Sequence, residues 1–233
     1  DIACGEGYGS YLLAAKAASV TGMDIDNTTI NKAAQKYPKD NLRFTQAAAE
    51  KIPAADAQFD MVVSIETLEH LADHDTMIKE IKRVLKPGGL LVISTPDKKN
   101  YSDKRNYKNP FHLKELYRNE FEALLKSAFS QVRIYDQQMT YSSFINEANA
   151  TGLTTYSGNY SSIEKNKPGE ALYLLALAAD SDLPTLPNSL FTGQSIVEQA
   201  LAERERMVTN TLTYKLGHVL LYPFKLLRGI FKN

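Results

Sequence analysis

Asp1-Ile2-Ala3-Cys4-Gly5-Glu6-Gly7-Tyr8-Gly9, followed by Ser10-Tyr11-Leu12-Leu13-Ala14-Ala15, decides how the rest of the chain is read. Glycines at 5, 7 and 9, straight after a strand-ending acid, let the backbone turn sharply and approach a ligand with no Cβ in the way. The helical run that follows points its amino-terminal amides at the same place. Further on, Asp24 closes the strand-like Val20-Thr21-Gly22-Met23-Asp24-Ile25-Asp26. An acid at the tip of the second strand is where an open α/β fold holds the hydroxyls of a nucleoside ribose. The pairing predicts a nucleoside-containing cofactor bound over the first two strands.

The dinucleotide fingerprint Gly-x-Gly-x-x-Gly fails here, because counting from Gly5 and Gly7 its third glycine falls on Ser10. The spacing instead resembles the class I S-adenosylmethionine-dependent methyltransferases, whose first motif runs Asp-x-Gly-x-Gly-x-Gly; Ala3 stands where that family has its first glycine. The resemblance continues through Asn41-Leu42-Arg43-Phe44-Thr45-Gln46-Ala47-Ala48-Ala49-Glu50-Lys51-Ile52-Pro53, which looks like the third strand and adenine loop. Phe59-Asp60-Met61-Val62-Val63-Ser64 looks like the fourth strand, and Leu85-Lys86-Pro87-Gly88-Gly89 to Pro96 like the turn into the fifth. The resemblance implies a doubly wound, Rossmann-like α/β fold with a seven-stranded sheet whose last strand is antiparallel. It implies S-adenosylmethionine as cofactor, held by Asp1, Ala3, Gly5, Gly7, Asp24, Ile25, Ala49, Glu50 and Ser64. Ala48 replaces the Asp that commonly accepts from the adenine amino group, so adenine recognition falls to backbone groups at Ala49 and Glu50 and to stacking by Ile25.

Lys plus Arg equals Asp plus Glu at 27 each among 233 residues, so no global field favours nucleic acid. One cysteine, Cys4, excludes an internal disulfide and fits a reducing, cytoplasmic compartment. No run of eighteen apolar residues occurs, so no spanning helix is expected. The chain starts at the strand-ending Asp, and the apolar half of the first strand is expected upstream. Residues 1–180 read as the methyltransferase domain, 181–194 as a linker and 195–233 as a basic amphipathic helical tail. Helices are expected over Tyr8–Ala18, Asn27–Tyr37, Asp73–Leu85 and Leu113–Ser127, with later strands at Gln131–Gln137 and Ala171–Ala178. Residues 97–110 read as a long polar loop and 138–169 as an insertion over the site. Beyond Glu205 no acid follows, while Leu216, Val219, Leu220, Phe224, Leu227 and Phe231 make an apolar stripe among basic residues. Residues 206–233 therefore suit either a peripheral contact with the inner membrane or a neighbouring domain.

A hydroxyl acceptor must lose its proton to a general base or a bound cation. Glu66, Glu69 and His70 would share one face of a helical turn after the fourth strand, at the end of the sheet where such folds bind ligands. The pattern Glu-x-x-Glu-His with a later His resembles the metal motif of the small-RNA 3′-terminal 2′-O-methyltransferases and also ubiquinone-pathway O-methyltransferases. That resemblance makes Glu66, Glu69, His70 and His112 a candidate Mg²⁺ site. The other reading makes His70 or His112 a metal-free base with Glu69 beside it. His74 is expected to be solvated, and His218 to be interfacial. The Asn109-Pro110-Phe111-His112-Leu113-Lys114-Glu115 segment, the Tyr-rich insertion and the basic tail resemble methyltransferases of bacterial surface-polysaccharide assembly. On that reading the acceptor is a saccharide contacted by Tyr101, Tyr107 and Tyr141. A quinone-type or other small hydroxylated acceptor is the alternative, and a non-catalytic cofactor-binding scaffold a third.

Overall fold

A computed structural model describes residues 1–138, 154, 156–158, 162–165, 170–189, 194–217 and 220. Tyr141, His218, Val219, Phe224, Leu227 and Phe231, named in the sequence reading, lie outside the described residues. The chain divides into two units, Asp1–Thr185 and Leu186–Asn233.

The first unit alternates helices and strands: α1 (Tyr8–Leu13), β1 (Val20–Asp24), α2 (Asn27–Lys36), β2 (Leu42–Gln46), β3 (Phe59–Ser64), α3 (His74–Val84), β4 (Leu85–Pro96), α4 (Arg118–Lys126) and β5 (Gln131–Gln137). A small antiparallel hairpin, β6 (Tyr156–Gly158) with β7 (Ile163–Lys165), precedes the last strand, β8 (Tyr173–Ala179). β1 pairs β2 in parallel, β3 pairs β4 in parallel, and β8 inserts antiparallel between β4 and β5. Ile2 joins the two halves by parallel bridges to Met23 and to Ser64. The lateral order is therefore β2, β1, the Ile2 segment, β3, β4, β8 and β5, a mixed α/β sheet with its antiparallel strand next to the edge.

The strands at the centre are buried on both faces, so they read as continuous apolar runs rather than alternating ones. Leu91 and Ile93 of β4 and Leu174 and Ala176 of β8 are fully buried. α3 lays Met77, Ile78, Ile81 and Val84 into the core, and α4 adds Phe121 and Leu125. Each such side chain contributes roughly 1.5–3 kcal/mol by leaving water. α3 starts where Asp73 accepts the Thr76 N–H at 3.0 Å, a side-chain cap that satisfies one of the otherwise free first-turn donors.

Two helices are shorter than the periodicity predicts. α1 stops at Leu13 rather than Ala18, because the Asn41 side chain donates to the carbonyls of Ala14 and Ala17 at 2.9 and 3.0 Å. A side-chain donor there replaces the continuing helical bonds. α4 begins at Arg118 rather than Leu113, since Leu116 makes a parallel bridge to Asp97 and keeps the segment before it extended. The polar stretch after β4 is ordered too, with a π-helical turn over Lys99–Asp103.

In the second unit, α5 covers Gln194–Asn210. Met207, Leu212, Leu216 and Leu220 are exposed. Among the described residues no helix is long and apolar enough to cross a membrane.

Candidate active site

The glycine loop is fixed from both sides. Ile2 donates to Val63 O and Cys4 to Met23 O, each at 2.8 Å, so the loop enters at the carboxyl end of the sheet. Ala3, Gly5 and Gly7 all have positive φ, at 54°, 51° and 82°. A Cβ on Gly7 would lie 2.6 Å from the Phe44 ring and 2.9 Å from Ala33 Cβ, so this glycine is required by packing. A Cβ on Gly5 would meet no atom within 4 Å, so this glycine faces open space beside Asp24. Asp24 accepts the Gly5 N–H on Oδ2 and the Asp26 N–H on Oδ1, both at 2.9 Å. These bonds aim the carboxylate over the loop with lone pairs left for diol hydroxyls. Ile25 beside it is exposed, as a stacking surface must be. Asp1 is turned to the scaffold, accepting the Ser10 hydroxyl at 2.7 Å. Ala49 and Glu50 lie in the turn closed by the Ala48–Lys51 bridge. Ser64, at the end of β3, is fully buried with its hydroxyl unpaired among the described residues.

After β3 the chain does not run on as one helix. Glu66 sits at φ 53°, in the left-handed region, and only Leu68–His70 forms a short 3-10 turn. Glu66 therefore does not share a helical face with Glu69 and His70; its carboxylate turns to β4, accepting the Ser94 hydroxyl at 2.6 Å. Burial is the main cause that lifts this carboxyl to about 7, helped by the nearby Glu69 charge and opposed by the Ser94 bond. Glu69 is 1% exposed, accepts Thr95 Oγ1 at 3.2 Å and is likewise pushed up by burial.

The loop carrying His112 is stitched to this turn by backbone bonds. Leu113 and Lys114 N–H groups donate to Glu69 O at 2.9 and 3.1 Å. His70 Nδ1 lies 2.8 Å from Phe111 O. A carbonyl only accepts, so Nδ1 carries the proton and the lone pair of the neutral ring sits on Nε2, 3.8 Å from Glu69 Oε1. The His70 and His112 rings meet edge to face at 5.0 Å. One ligand atom each from Glu69, His70 and His112 falls within 4.8 Å of the others. Glu66 is outside that group, so the four-residue set predicted from sequence contracts to three.

Two imidazoles and one carboxylate suit an ion that accepts nitrogen better than Mg²⁺, which favours oxygen donors. His112 is also engaged at both nitrogens, by Glu115 Oε1 at 2.6 Å and Asn109 Nδ2 at 2.9 Å. The observed donors therefore do not form a ready Mg²⁺ site. His74, expected in solvent, is 2% exposed under the turn, and burial pushes its imidazole below the ordinary value.

Of the three candidate substrate tyrosines, Tyr101 is already covered. His112 stacks on it at 5.4 Å, Tyr173 lies at 5.8 Å and the Arg105 guanidinium at 5.7 Å. It forms a wall of the His112 niche, while Tyr107 remains 45% exposed.

Residues 1–93 match the family described as "Methyltransferase domain". A probable S-adenosylmethionine-dependent methyltransferase of Mycobacterium tuberculosis is 38% identical over 129 residues, covering 55% of this chain and 46% of that protein. A ubiquinone biosynthesis O-methyltransferase of Psychrobacter arcticus is 35% identical over 100 residues, 41% of this chain and 39% of that protein. The chain spans about half the length of the first curated relatives it matches. The fold is shared with the YcgJ protein of Bacillus subtilis at TM-score 0.54 and 18% identity, covering 78% of this chain and 91% of that one.

The loop has what a nucleoside-containing cofactor needs: an open cradle at Gly5, a fixed acid at Asp24 and an exposed apolar side chain at Ile25. The sequence reading missed the parts that hold the candidate site in shape. Phe44 packs beneath Gly7 and Gly22. Arg83 donates to Ile52 O, Ala54 O, Asp56 and Glu80 at 2.8–2.9 Å, pinning the segment after Glu50 from a helix far along the chain. Ser94 and Thr95, polar at the carboxyl end of a parallel strand, carried a legible signal, since ligands gather at such ends.

Proposed function

We propose that this protein is an S-adenosylmethionine-dependent O-methyltransferase acting on a hydroxyl of a saccharide or cell-surface glycan. The observation that carries the O-methylation is His70: its Nδ1–H is committed to the Phe111 carbonyl, which leaves Nε2 free beside the buried Glu69. S-adenosylmethionine supplies the electrophilic methyl carbon, and the loop around Gly5 with Asp24 holds its nucleoside. His70 Nε2 takes the acceptor O–H proton as the oxygen forms its bond to the methyl carbon and the carbon–sulfur bond breaks. Glu69 then faces the imidazolium and stabilises it. Alignment of oxygen and methyl group supplies most of the rate, and the base adds about 10²–10⁴-fold.

The saccharide assignment rests on the sequence resemblance and on the exposed Tyr107 ring beside Arg105 at the same loop. A quinone-type acceptor is favoured instead by the ubiquinone-pathway relative and by Phe111 and Leu113, exposed on either side of His112. Activation by a divalent cation is favoured by the convergence of Glu69, His70 and His112, in which case an imidazole-accepting ion is expected rather than Mg²⁺. The basic, acid-free segment 206–233 would bring the domain to the inner-membrane face. Its support is the exposed Met207, Leu212 and Leu216.

Transfer of labelled methyl to a panel of glycans and phenols, before and after chelation, tests this reading. Product from glycans that survives chelation and falls at least about 10²-fold in His70→Ala is expected. Wild-type rates in His70→Ala would overturn the base; activity restored only by a metal would move the chemistry to the cation.

A further inference from the structure

His112 is held more tightly than anything the proposed chemistry asks of a loop residue. Its side chain is 8% exposed, and so is that of Glu115, whose Oε1 lies 2.6 Å from His112 Nδ1. The opposite nitrogen, Nε2, lies 2.9 Å from Asn109 Nδ2. Asn109 is itself fixed, because its Oδ1 accepts the Phe111 N–H at 3.0 Å and so turns its amide NH₂ toward the ring. Two donors cannot pair, so Nε2 must be accepting and Nδ1 must carry the proton that Glu115 receives. Tyr101 closes one face of the ring at 5.4 Å and 24°, and His70 meets its edge.

We propose that Glu115 is a positioning residue, whose carboxylate holds His112 in the Nδ1–H tautomer and leaves Nε2 as the single lone pair this ring offers the site. It rests on the reading above that the acceptor is methylated beside His70, whose ring meets that of His112. In this arrangement Asn109 fills the position that a second hydroxyl of the acceptor, beside the one methylated, takes on binding. That second hydroxyl exchanges with the amide N–H and donates to the same Nε2, while the methylated hydroxyl keeps its proton for His70. Glu115 touches no reacting atom, and its effect passes through His112. A carboxylate behind an imidazole sets which nitrogen is available, and loss of such a partner typically lowers activity about 10–100-fold.

The test combines ¹⁵N NMR of the His112 ring with kinetics of the full chain. Wild type is expected to show the Nδ1–H tautomer, and Glu115→Ala a ring whose proton is shared between both nitrogens. Glu115→Ala should lose about 10–100-fold in kcat with KM for S-adenosylmethionine unchanged, and Glu115→Asp should recover part of that loss. An Nε2–H tautomer in wild type overturns the proposal, as does a Glu115→Ala variant that keeps the wild-type tautomer. The wild-type spectrum decides even where the variant fails to fold. Absence of methyl transfer by wild type would count against the proposed function alone, since the tautomer is read without turnover.

Discussion

Glu66→Gln removes one charge from the site while keeping the carbonyl-type oxygen that accepts the Ser94 hydroxyl at 2.6 Å. In the folded protein this carboxyl is lifted from its ordinary 4.5 to about 7, first by burial and then by Glu69. Between those values the native state retains a proton that the unfolded chain has released. Stability therefore falls as pH rises through that window and is level above it. The full shift corresponds to about 3 kcal/mol. Water reaching this half-buried group screens part of it, leaving about 1–2 kcal/mol. Glu66→Gln is thus expected to leave stability unchanged near pH 4.5 and to raise it by about 1–2 kcal/mol at pH 8, or roughly 2–8 °C in Tm. Urea titrations of wild type and variant at both pH values measure this. Equal gains at the two pH values, or none at pH 8, would refute the reasoning that a buried carboxyl is forced to ionise here.

Ala3→Gly relieves a left-handed alanine at φ 54° and should stabilise by about 0.5–1 kcal/mol in thermal unfolding, the strain being partly offset by a freer unfolded chain. Gly7→Ala should destabilise by about 2–4 kcal/mol, because its Cβ would enter the Phe44 ring, whereas Gly5→Ala costs only its φ, about 1–2 kcal/mol, and weakens cofactor binding instead. A calorimetric titration beside an unfolding curve separates the two. Arg83→Ala strips the Ile52 and Ala54 carbonyls and the Glu80 and Asp56 carboxylates of a shared donor, and should lower the midpoint of denaturant unfolding.

The fold was legible wherever periodicity or glycine chemistry is local. The apolar stripe of α3 and the α2 boundary before Pro38 appear within a residue of where the spacing put them. The antiparallel strand beside the edge came from family resemblance, since β8 is as apolar as its parallel neighbours. Helix ends were lost where a distant side chain intervenes: no pattern near Leu13 announces the Asn41 amide that stops α1. At the site, residue types were readable but not their directions. Glu66, Glu69 and His70 have helical spacing, yet a left-handed Glu66 turns one carboxylate to β4 and leaves the other two groups facing His112. Tyr101 reads from sequence as a candidate saccharide contact, but sequence carries no record of what stacks on a ring, and here His112 does.

The most direct measurement is calorimetric titration of the full chain with S-adenosylhomocysteine and, separately, with NAD, repeated on Asp24→Ala. Saturable heat with the first ligand only, weakened at least about tenfold in the variant, is what a ribose-gripping Asp24 predicts. Heat from NAD instead, or equal affinity in wild type and variant, would contradict the account.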